Sequence, residues 1–296
     1  MPELPDLTVY LEHLERRVVG ERLLDIRLAS PFVLRSVTPP VEDLRDRVVT
    51  GTRRVAKQLV LVLEDDLFVV IHLMISGRLR WYEPGRAVPK RVGLAAFDFS
   101  SGTIVFTEAS KKKRASLRLV RGGDALAELD PGGLEVLEID LPTFLARLRG
   151  SRHTLKRTLT DQRIFAGIGN AYSDEILLYA GLSPFKRARD VSDAEGERLF
   201  ETCRKTLTEW VGILRTKAGD TFPDKVTAFH DEMAAHGKYR QPCPVCGAPI
   251  QRIVHAENES NYCARCQTGG RVLADRSLSR LLKDTWPKRI EELEGD

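Results

Sequence analysis

Four of the five cysteines constrain the fold of this chain more than any other residues do. They form two Cys-x2-Cys pairs, Cys243 with Cys246 and Cys263 with Cys266, and sixteen residues separate the pairs. Paired thiolates at this spacing close tetrahedrally around zinc, and four sulfur ligands leave no open coordination position. We therefore predict one structural Zn²⁺ that holds a β-hairpin in a segment too small to fold alone. The alternative is four reduced cysteines without metal, and a catalytic zinc is disfavoured.

The charge around these cysteines is positive. Residues 236–273 contain five lysines and arginines against two acids, which gives a net charge of +3. A hairpin with this charge can face phosphates. Four-cysteine ribbons also serve protein contacts, so the spacing alone leaves both DNA and a protein as partners.

Length and composition favour a soluble protein of several domains. The 296 residues exceed the usual size of one domain, so two globular units with an appendage are expected. Apolar residues make up 42%, and no apolar run approaches the roughly 20 residues that span a bilayer. The first residues lack the basic and apolar blocks of a secretory signal, so we expect a cytoplasmic protein without membrane contact. The net charge of +4 is too small to identify a nucleic-acid partner.

Hydrophobic periodicity predicts the architecture of the first half. Apolar residues from Leu7 to Val18 recur at helical spacing, with Pro5 suited to the first turn and Gly20 to the stop. β-Branched and apolar runs bounded by turn residues follow and predict antiparallel hairpins. These runs cover residues 59–63, 68–73, 94–99 and 103–106. We assign residues 1–130 to a β-sandwich with a leading helix.

The pattern changes at a Pro/Gly cluster, residues 130–133, and is helical beyond it. We assign residues 131–236 to a helical domain, 237–273 to the zinc finger and 274–296 to a C-terminal helical extension. Cys203 lies inside one helical pattern and is interpreted as a small buried residue. The expected fold class is α+β.

Proline at position 2 permits removal of Met1, which would expose a secondary amine. Such amines condense with aldehydes to cationic iminium adducts and split a difficult cleavage into easier steps. The positive end of the leading helix disfavours protonation of this amine, and Glu3 beside it could move protons. Many chains begin with Met-Pro, so these residues alone leave an ordinary surface terminus as the alternative.

Five segments in order resemble one protein family. They are MPELPDL, the stretch ending at Lys57, IHLMISGRL, DQRIFAGIGNAYSDEILLYAGLSP and the four-cysteine segment. Over residues 1–268 they resemble the formamidopyrimidine-DNA glycosylase and endonuclease VIII family. The resemblance implies an N-terminal β-sandwich, a helix-two-turn-helix domain, a DNA-binding zinc finger, and base excision coupled to strand cleavage.

The resemblance also implies roles for individual residues. Pro2 matches the nucleophile that attacks the sugar C1′, Glu3 matches its acid/base partner, and Lys57 matches a lysine near the lesion phosphate. His72 matches a phosphate-side histidine, with a structural histidine as the alternative.

A second set of residues is expected to hold the DNA backbone. Asn170 stands where GIGN turns into a helix, so it is expected to cap that helix and to contact a phosphate. Gly167 and Gly169 would permit the close approach that side chains block.

Four segments depart from the family pattern. The stretch from Gly219 to Gly237 is shorter than in family members whose loop covers flipped 8-oxoguanine. Where the family has an arginine and an aromatic residue that fill the gap left by the flipped base, this chain has four cations, Lys111, Lys112, Lys113 and Arg114. Ile75 stands at the usual methionine wedge, and Asn258 stands near an arginine that holds the lesion phosphate. We expect the basic loop to contact phosphates, and Ile75 or its neighbour Met74 to probe the base stack.

We predict a bifunctional DNA glycosylase and AP lyase of base-excision repair. It would act as a monomer on damaged double-stranded DNA in the bacterial cytoplasm, at the nucleoid, with 8-oxoguanine not expected as the main substrate. A damage-binding protein of the same fold without efficient excision is the alternative, and Pro2, Glu3 and Lys57 argue against it. A zinc-ribbon transcription factor would not account for the β-rich first half.

Overall fold

The computed structural model describes residues 1–224, 226–255, 258–274, 280–281 and 287–293. The chain forms two compact units, the first made of Met1–Pro131 with Glu209–Ala228 and the second of Gly132–Thr208 with Phe229–Asp296. The sequence pattern instead placed the whole of 131–236 in one helical domain. Among the described residues, no helix combines the length and apolar character needed to cross a membrane.

The first unit is a β-sandwich with a leading helix, as predicted. Its five-stranded sheet has the order β1-β3-β4-β5-β9 and its four-stranded sheet the order β2-β7-β8-β6, and all neighbouring strands are antiparallel. The elements are α1 Leu4–Val18, β1 Arg22–Leu23, β2 Asp25–Leu28, β3 Arg47–Val55, β4 Gln58–Leu63, β5 Leu67–His72, β6 Gly77–Tyr82, β7 Gly93–Asp98, β8 Thr103–Glu108, β9 Ser116–Arg121 and α2 Gly123–Ala127.

One core joins both sheets and α1, because alternate residues of each strand point to the same side. Leu61 and Ile71 of the first sheet, Phe97 and Phe106 of the second, and Tyr10 of α1 belong to this core. Strand β5 is buried over nearly its whole length, since its other face packs in a second cluster that includes Leu126 of α2.

Helix α1 begins where its sequence dictates. Glu3 is the N-cap, and a capping box joins it to Asp6, whose Oδ2 accepts the Glu3 N–H at 2.8 Å. Pro5 lies in the first turn, where its missing N–H has no helical acceptor to lose. The capping box therefore fixes the backbone of Glu3, the residue directly before the helix.

The segment after α6 belongs to the first unit. Helix α6, Asp193–Ala218, ends before Phe222, whose ring lies 5.7 Å from that of Tyr10. Phe222 and Val226 join the core beneath α1, and the guanidinium of Arg17 donates to the Asp220 carbonyl at 2.8 Å. Two buried apolar side chains therefore attach this segment to the sandwich.

The second unit contains the helices and the finger. Its helices are α3 Leu141–Arg149, α4 Leu155–Thr160, α5 Asn170–Tyr179 and the first part of α6, in which Cys203 is buried as expected. The finger consists of β10 Ile250–His255 and β11 Asn258–Cys263, an antiparallel hairpin, followed by α7 Ala264–Thr268.

A segment far along the chain completes the core of the finger. Ile290 N–H donates to the Gly270 carbonyl at 2.8 Å, and Val272 N–H donates to the Lys288 carbonyl at 2.9 Å. The Ile290 side chain is buried in a cluster with Tyr262 and Cys263. Much of the predicted C-terminal helix, namely 275–279, 282–286 and 294–296, lies outside the described residues; residues 290–293 form a 3₁₀ turn.

Candidate active site and metal centre

The amino terminus, Glu3 and Lys57 lie together at one end of the sandwich. Pro2 and Glu3 are both buried, and Glu3 is 2% exposed. Burial lowers the pKa of the Met1 α-amino group, Glu3 and Asp6 act in the opposite direction, and Lys57 and Arg78 lower it further. We call this group, Pro2, Glu3, Asp6, Lys57 and Arg78, the amino-terminal site.

Lys57 reaches this site from a tight turn. It lies half-buried in the two-residue connection between β3 and β4, where Val55 pairs with Gln58. Ala56 in the same turn has φ +49°, the left-handed conformation that such a connection requires. The turn thus fixes where the lysine side chain starts.

His72 ends β5 opposite Ser116 of β9. Burial, followed by the nearby cations Lys57 and Arg118, lowers the pKa of His72 to about 4. The imidazole is therefore neutral near pH 7 and offers one N–H donor, which suits a phosphate oxygen.

The turn after His72 projects Ile75 into solvent. Gly77 N–H donates to the Leu73 carbonyl at 2.8 Å, and a Cβ at Gly77 would lie 2.2 Å from that oxygen, so only glycine fits. Met74 has φ +52°, and Ile75 is 54% exposed. An exposed apolar side chain on a hydrogen-bonded turn is suited to insertion between stacked groups.

The basic loop, Lys111–Arg114, is tied down by a carboxylate that the sequence did not reveal. Glu108, 1% exposed, accepts the N–H of Arg114 at 2.9 Å and that of Ala115 at 3.1 Å. The Lys113 ammonium also donates to the Glu108 carbonyl. All four cationic side chains are exposed on this anchored backbone.

The glycine-rich loop before α5 differs from prediction at one residue. Gly169, with φ −135° and ψ −156°, is the N-cap, and Asn170 is already the first helical residue, so the expected N-cap role of Asn170 is wrong. A glycine takes the extended cap position without needing a side-chain acceptor. Gly167 has φ +81°, and its N–H donates to Gln162 Oε1 at 2.9 Å.

Asp174 on α5 is the centre of a buried polar cluster that sequence reasoning missed. Its carboxylate accepts Lys156 Nζ at 2.5 Å and Asn261 Nδ2 at 3.3 Å, and it lies 2.8 Å from His236 Nδ1. Lys156 Nζ also donates to the Asn170 carbonyl at 2.6 Å. One carboxylate thus joins α4, α5, the residues before the finger and β11. Because these partners are far apart in sequence, no periodic pattern signals them.

The neighbouring Glu175 binds the backbone of the residues that precede the finger. Its carboxylate accepts three consecutive backbone N–H groups, those of Ala234, Ala235 and His236, at 2.8 to 2.9 Å. Burial is the main cause that raises the pKa of Glu175, and these hydrogen bonds oppose it.

The four predicted cysteine ligands converge. Their Sγ atoms all lie within 4.8 Å of one another, with Cys246 and Cys263 at 3.4 Å and Cys243 and Cys266 at 4.0 Å. Tetrahedral zinc with Zn–S bonds of about 2.3 Å needs sulfur atoms about 3.8 Å apart, so these residues fit the ion. Zinc bound by these four thiolates would cross-link the finger, and it would have no open coordination position for catalysis.

A sandwich with a buried amino-terminal site, joined to a helical unit and a four-thiolate finger, is the arrangement of the helix-two-turn-helix DNA glycosylases. Three family models match the chain: the formamidopyrimidine-DNA glycosylase N-terminal domain over residues 1–117, its H2TH domain over 133–220, and the zinc finger found in FPG and IleRS over 240–269. The chain belongs to the formamidopyrimidine-DNA glycosylase family. The predicted fold class and structural zinc finger are confirmed.

Individual relatives agree with this assignment. A formamidopyrimidine-DNA glycosylase of Thermus thermophilus is 32% identical over 279 residues, which cover 91% of this chain and all of the relative. An uncharacterised formamidopyrimidine-DNA glycosylase-like protein of Mycobacterium tuberculosis is 40% identical over 155 residues, 52% of this chain and 94% of its own length. The crystal structure of Lactococcus lactis Fpg (MutM) with DNA containing an oxidised pyrimidine superposes with a TM-score of 0.80 at 25% identity, over 90% of this chain and 100% of that one.

Proposed function

We propose that this protein is a bifunctional DNA glycosylase and AP lyase of base-excision repair, with damaged double-stranded DNA as its substrate. One observation carries the proposal: Pro2, Glu3 and Lys57 lie together in the amino-terminal site. A protein that only bound damaged DNA would have no use for a buried amine beside a carboxylate. Family membership supports the same conclusion.

The chemistry would begin once Met1 is removed. The Pro2 nitrogen attacks C1′ of the flipped nucleotide as the glycosidic bond breaks, and the departing base takes up a proton. Burial favours the unprotonated, nucleophilic amine, as it does for the α-amino group in the same place. Glu3 passes protons during formation of the iminium, and elimination of the 3′ and then the 5′ phosphate cleaves the strand.

The remaining predicted residues would hold the substrate. His72, Asn170 and the amides from Gly167 to Gly169 would contact the backbone, together with the basic loop. Ile75 would enter the base stack that the flipped nucleotide leaves. We propose that the protein works as a monomer in the bacterial cytoplasm, at the nucleoid.

Lesion choice follows from the same loops. The three lysines of the basic loop have no planar or apolar group to occupy the gap beside an unpaired base, and the loop lacks the aromatic residue of the family, so we propose that 8-oxoguanine is not the main substrate. Formamidopyrimidine, oxidised pyrimidine, alkylated and crosslinked bases are the candidates, and a panel of duplexes with one lesion each would identify the excised base.

Borohydride trapping on abasic duplex DNA tests the enzyme. Processed protein should give a covalent complex, whereas Pro2→Gly should lose most of the lyase activity although it keeps a primary amine. Protein that retains Met1 should be inactive because its Pro2 nitrogen is an amide. If the Met1-retaining form cut abasic DNA at the normal rate, the role of Pro2 would be refuted; binding without trapping would favour a damage-binding protein.

A further inference from the structure

We infer that Tyr239, Arg240 and Arg252 form a second contact with the DNA backbone, on the zinc finger. We call these three residues the finger stack. The inference rests on the proposed function insofar as it takes DNA as the partner. Asn258 stands near the position of the family's phosphate-holding arginine, so the inference assigns the phosphate contact of the finger to three other residues.

The finger stack consists of one aromatic ring that two arginines contact. The guanidinium carbon of Arg252 lies 4.4 Å from the centroid of the Tyr239 ring, and that of Arg240 lies 5.3 Å from it. Both arginines are exposed, and the tyrosine is 38% exposed. Guanidinium groups stacked on a ring are already oriented, so they lose less side-chain freedom when they bind phosphate oxygens.

Arg240 adopts a backbone conformation that a glycine would take without strain. Its φ is +67°, and its N–H is fixed to the Ile250 carbonyl at 2.9 Å. A side chain in this conformation costs stability, and such outliers persist where the surroundings hold them and function uses them. An arginine at this position therefore lowers the stability of the finger relative to glycine, and the fold of the finger alone gives no reason for it.

The finger stack lies on the side of the hairpin that is connected to α5. Arg252 is paired directly with Asn261, and opposed residues of an antiparallel pair point to the same face. Asn261 Nδ2 reaches Asp174, one turn beyond Asn170 on α5, and Lys156 joins Asp174 to the Asn170 carbonyl. A continuous set of polar contacts thus joins the face that carries the stack to the loop proposed to bind phosphate.

Two other cations of the finger, Lys238 and Arg265, donate to backbone carbonyls. The hairpin tip, residues 255–259, contains no lysine or arginine. Lys238 Nζ donates to the Asp231 carbonyl at 2.6 Å, and Arg265 donates to the Cys246 carbonyl at 3.3 Å. Arg252 pairs with Glu259 at 3.7 Å, and this loose ion pair is one that a phosphate can replace.

The test is the binding of undamaged duplex DNA by zinc-loaded protein over a series of salt concentrations. Arg240→Gly should weaken binding by about tenfold and reduce the slope of log K against log salt by about one, because one cation no longer displaces a counterion. Its Tm should stay close to that of the parent, since glycine relieves the left-handed strain. Tyr239→Leu should weaken binding by about threefold, as expected for a lost cation–aromatic contact.

Arg86→Gly is the matched control, because Arg86 is also exposed and stacked, 4.8 Å from the Tyr82 ring, but lies in the first unit. It should leave the affinity and the salt slope unchanged. If Arg240→Gly bound DNA like the parent with the same slope, the inference would be overturned. The assay uses intact DNA and needs no chemistry, so failure of the glycosylase proposal would appear separately, as a lack of borohydride trapping by the parent.

Discussion

His72 illustrates how burial changes the chemistry of one residue. Family resemblance identified this histidine, but its lowered pKa depends first on burial and then on Lys57 and Arg118, and Arg118 of β9 comes from another part of the chain. The sequence could identify the residue type, whereas its environment required the assembled sheet. Asn170 is the opposite case. Its residue type predicted an N-cap, but Gly169 occupies that position in the structure.

His72 should make the sandwich sensitive to acid. Its folded pKa of about 4 lies below the ordinary value, so the unfolded chain takes up a proton first and stability is lost as the pH falls from about 6.5 towards 4. His72→Gln should remove this contribution. Hydrogen exchange of the β5 amides at pH 7 and pH 5 would measure it, and an unchanged pH dependence in the variant would contradict the assignment.

Among the elements, the apolar runs bounded by turn residues were predicted well, and the segments without such runs were not. The runs at 59–63, 68–73 and 94–99 correspond to β4, β5 and β7, because one or both faces of each strand are buried and the residues repeat accordingly. The attachment of residues 219–228 to the sandwich was missed, since it depends on two side chains, Phe222 and Val226, in a segment without a period.

The basic loop and the Ile75 turn should separate affinity from lesion recognition. Replacement of Lys111, Lys112 and Lys113 by alanine should weaken binding of damaged and undamaged DNA about equally and reduce the salt dependence, because fewer counterions are released. Ile75→Ala should instead depress excision with a smaller loss of nonspecific affinity. Fluorescence binding titrations and single-turnover excision would distinguish the two.

The β6–β7 connection offers a matched control for the triple variant. Arg86, Lys90 and Arg91 are three exposed cations there, and their replacement by alanine should leave binding unchanged. If the Lys111 to Lys113 variant bound undamaged DNA normally but lost discrimination between damaged and intact duplex, the roles would be reversed and the basic loop would read the lesion.

For the molecule as a whole, the metal and the amino-terminal site belong to different compact units. The four cysteine ligands lie in the second unit, and the amino-terminal site lies in the first. The sequence predicted this separation from the position of the cysteines and the change of period near residue 130. It could not predict the buried Asp174 cluster, which depends on residues from four separate segments.

Zinc removal should therefore act on binding more than on the sandwich. A chelator strong enough to remove one equivalent of metal should lower DNA affinity, while the amides of β4 and β5 stay protected from hydrogen exchange. Elemental analysis gives the stoichiometry. Protein purified without chelators that contained no zinc would contradict the proposed metal centre.

The pairing of Ile290 with Gly270 affects the order in which the finger can be built during synthesis. The family models end at residue 269, and Ile290 follows the last ligand, Cys266, by 24 residues. The exit tunnel of the ribosome encloses a longer stretch of chain than these 24 residues, so Cys266 is still inside it when Ile290 is added. The fourth zinc ligand and the side chain that completes the apolar core therefore become available for folding together, so metal binding and closure of the core are expected in one step.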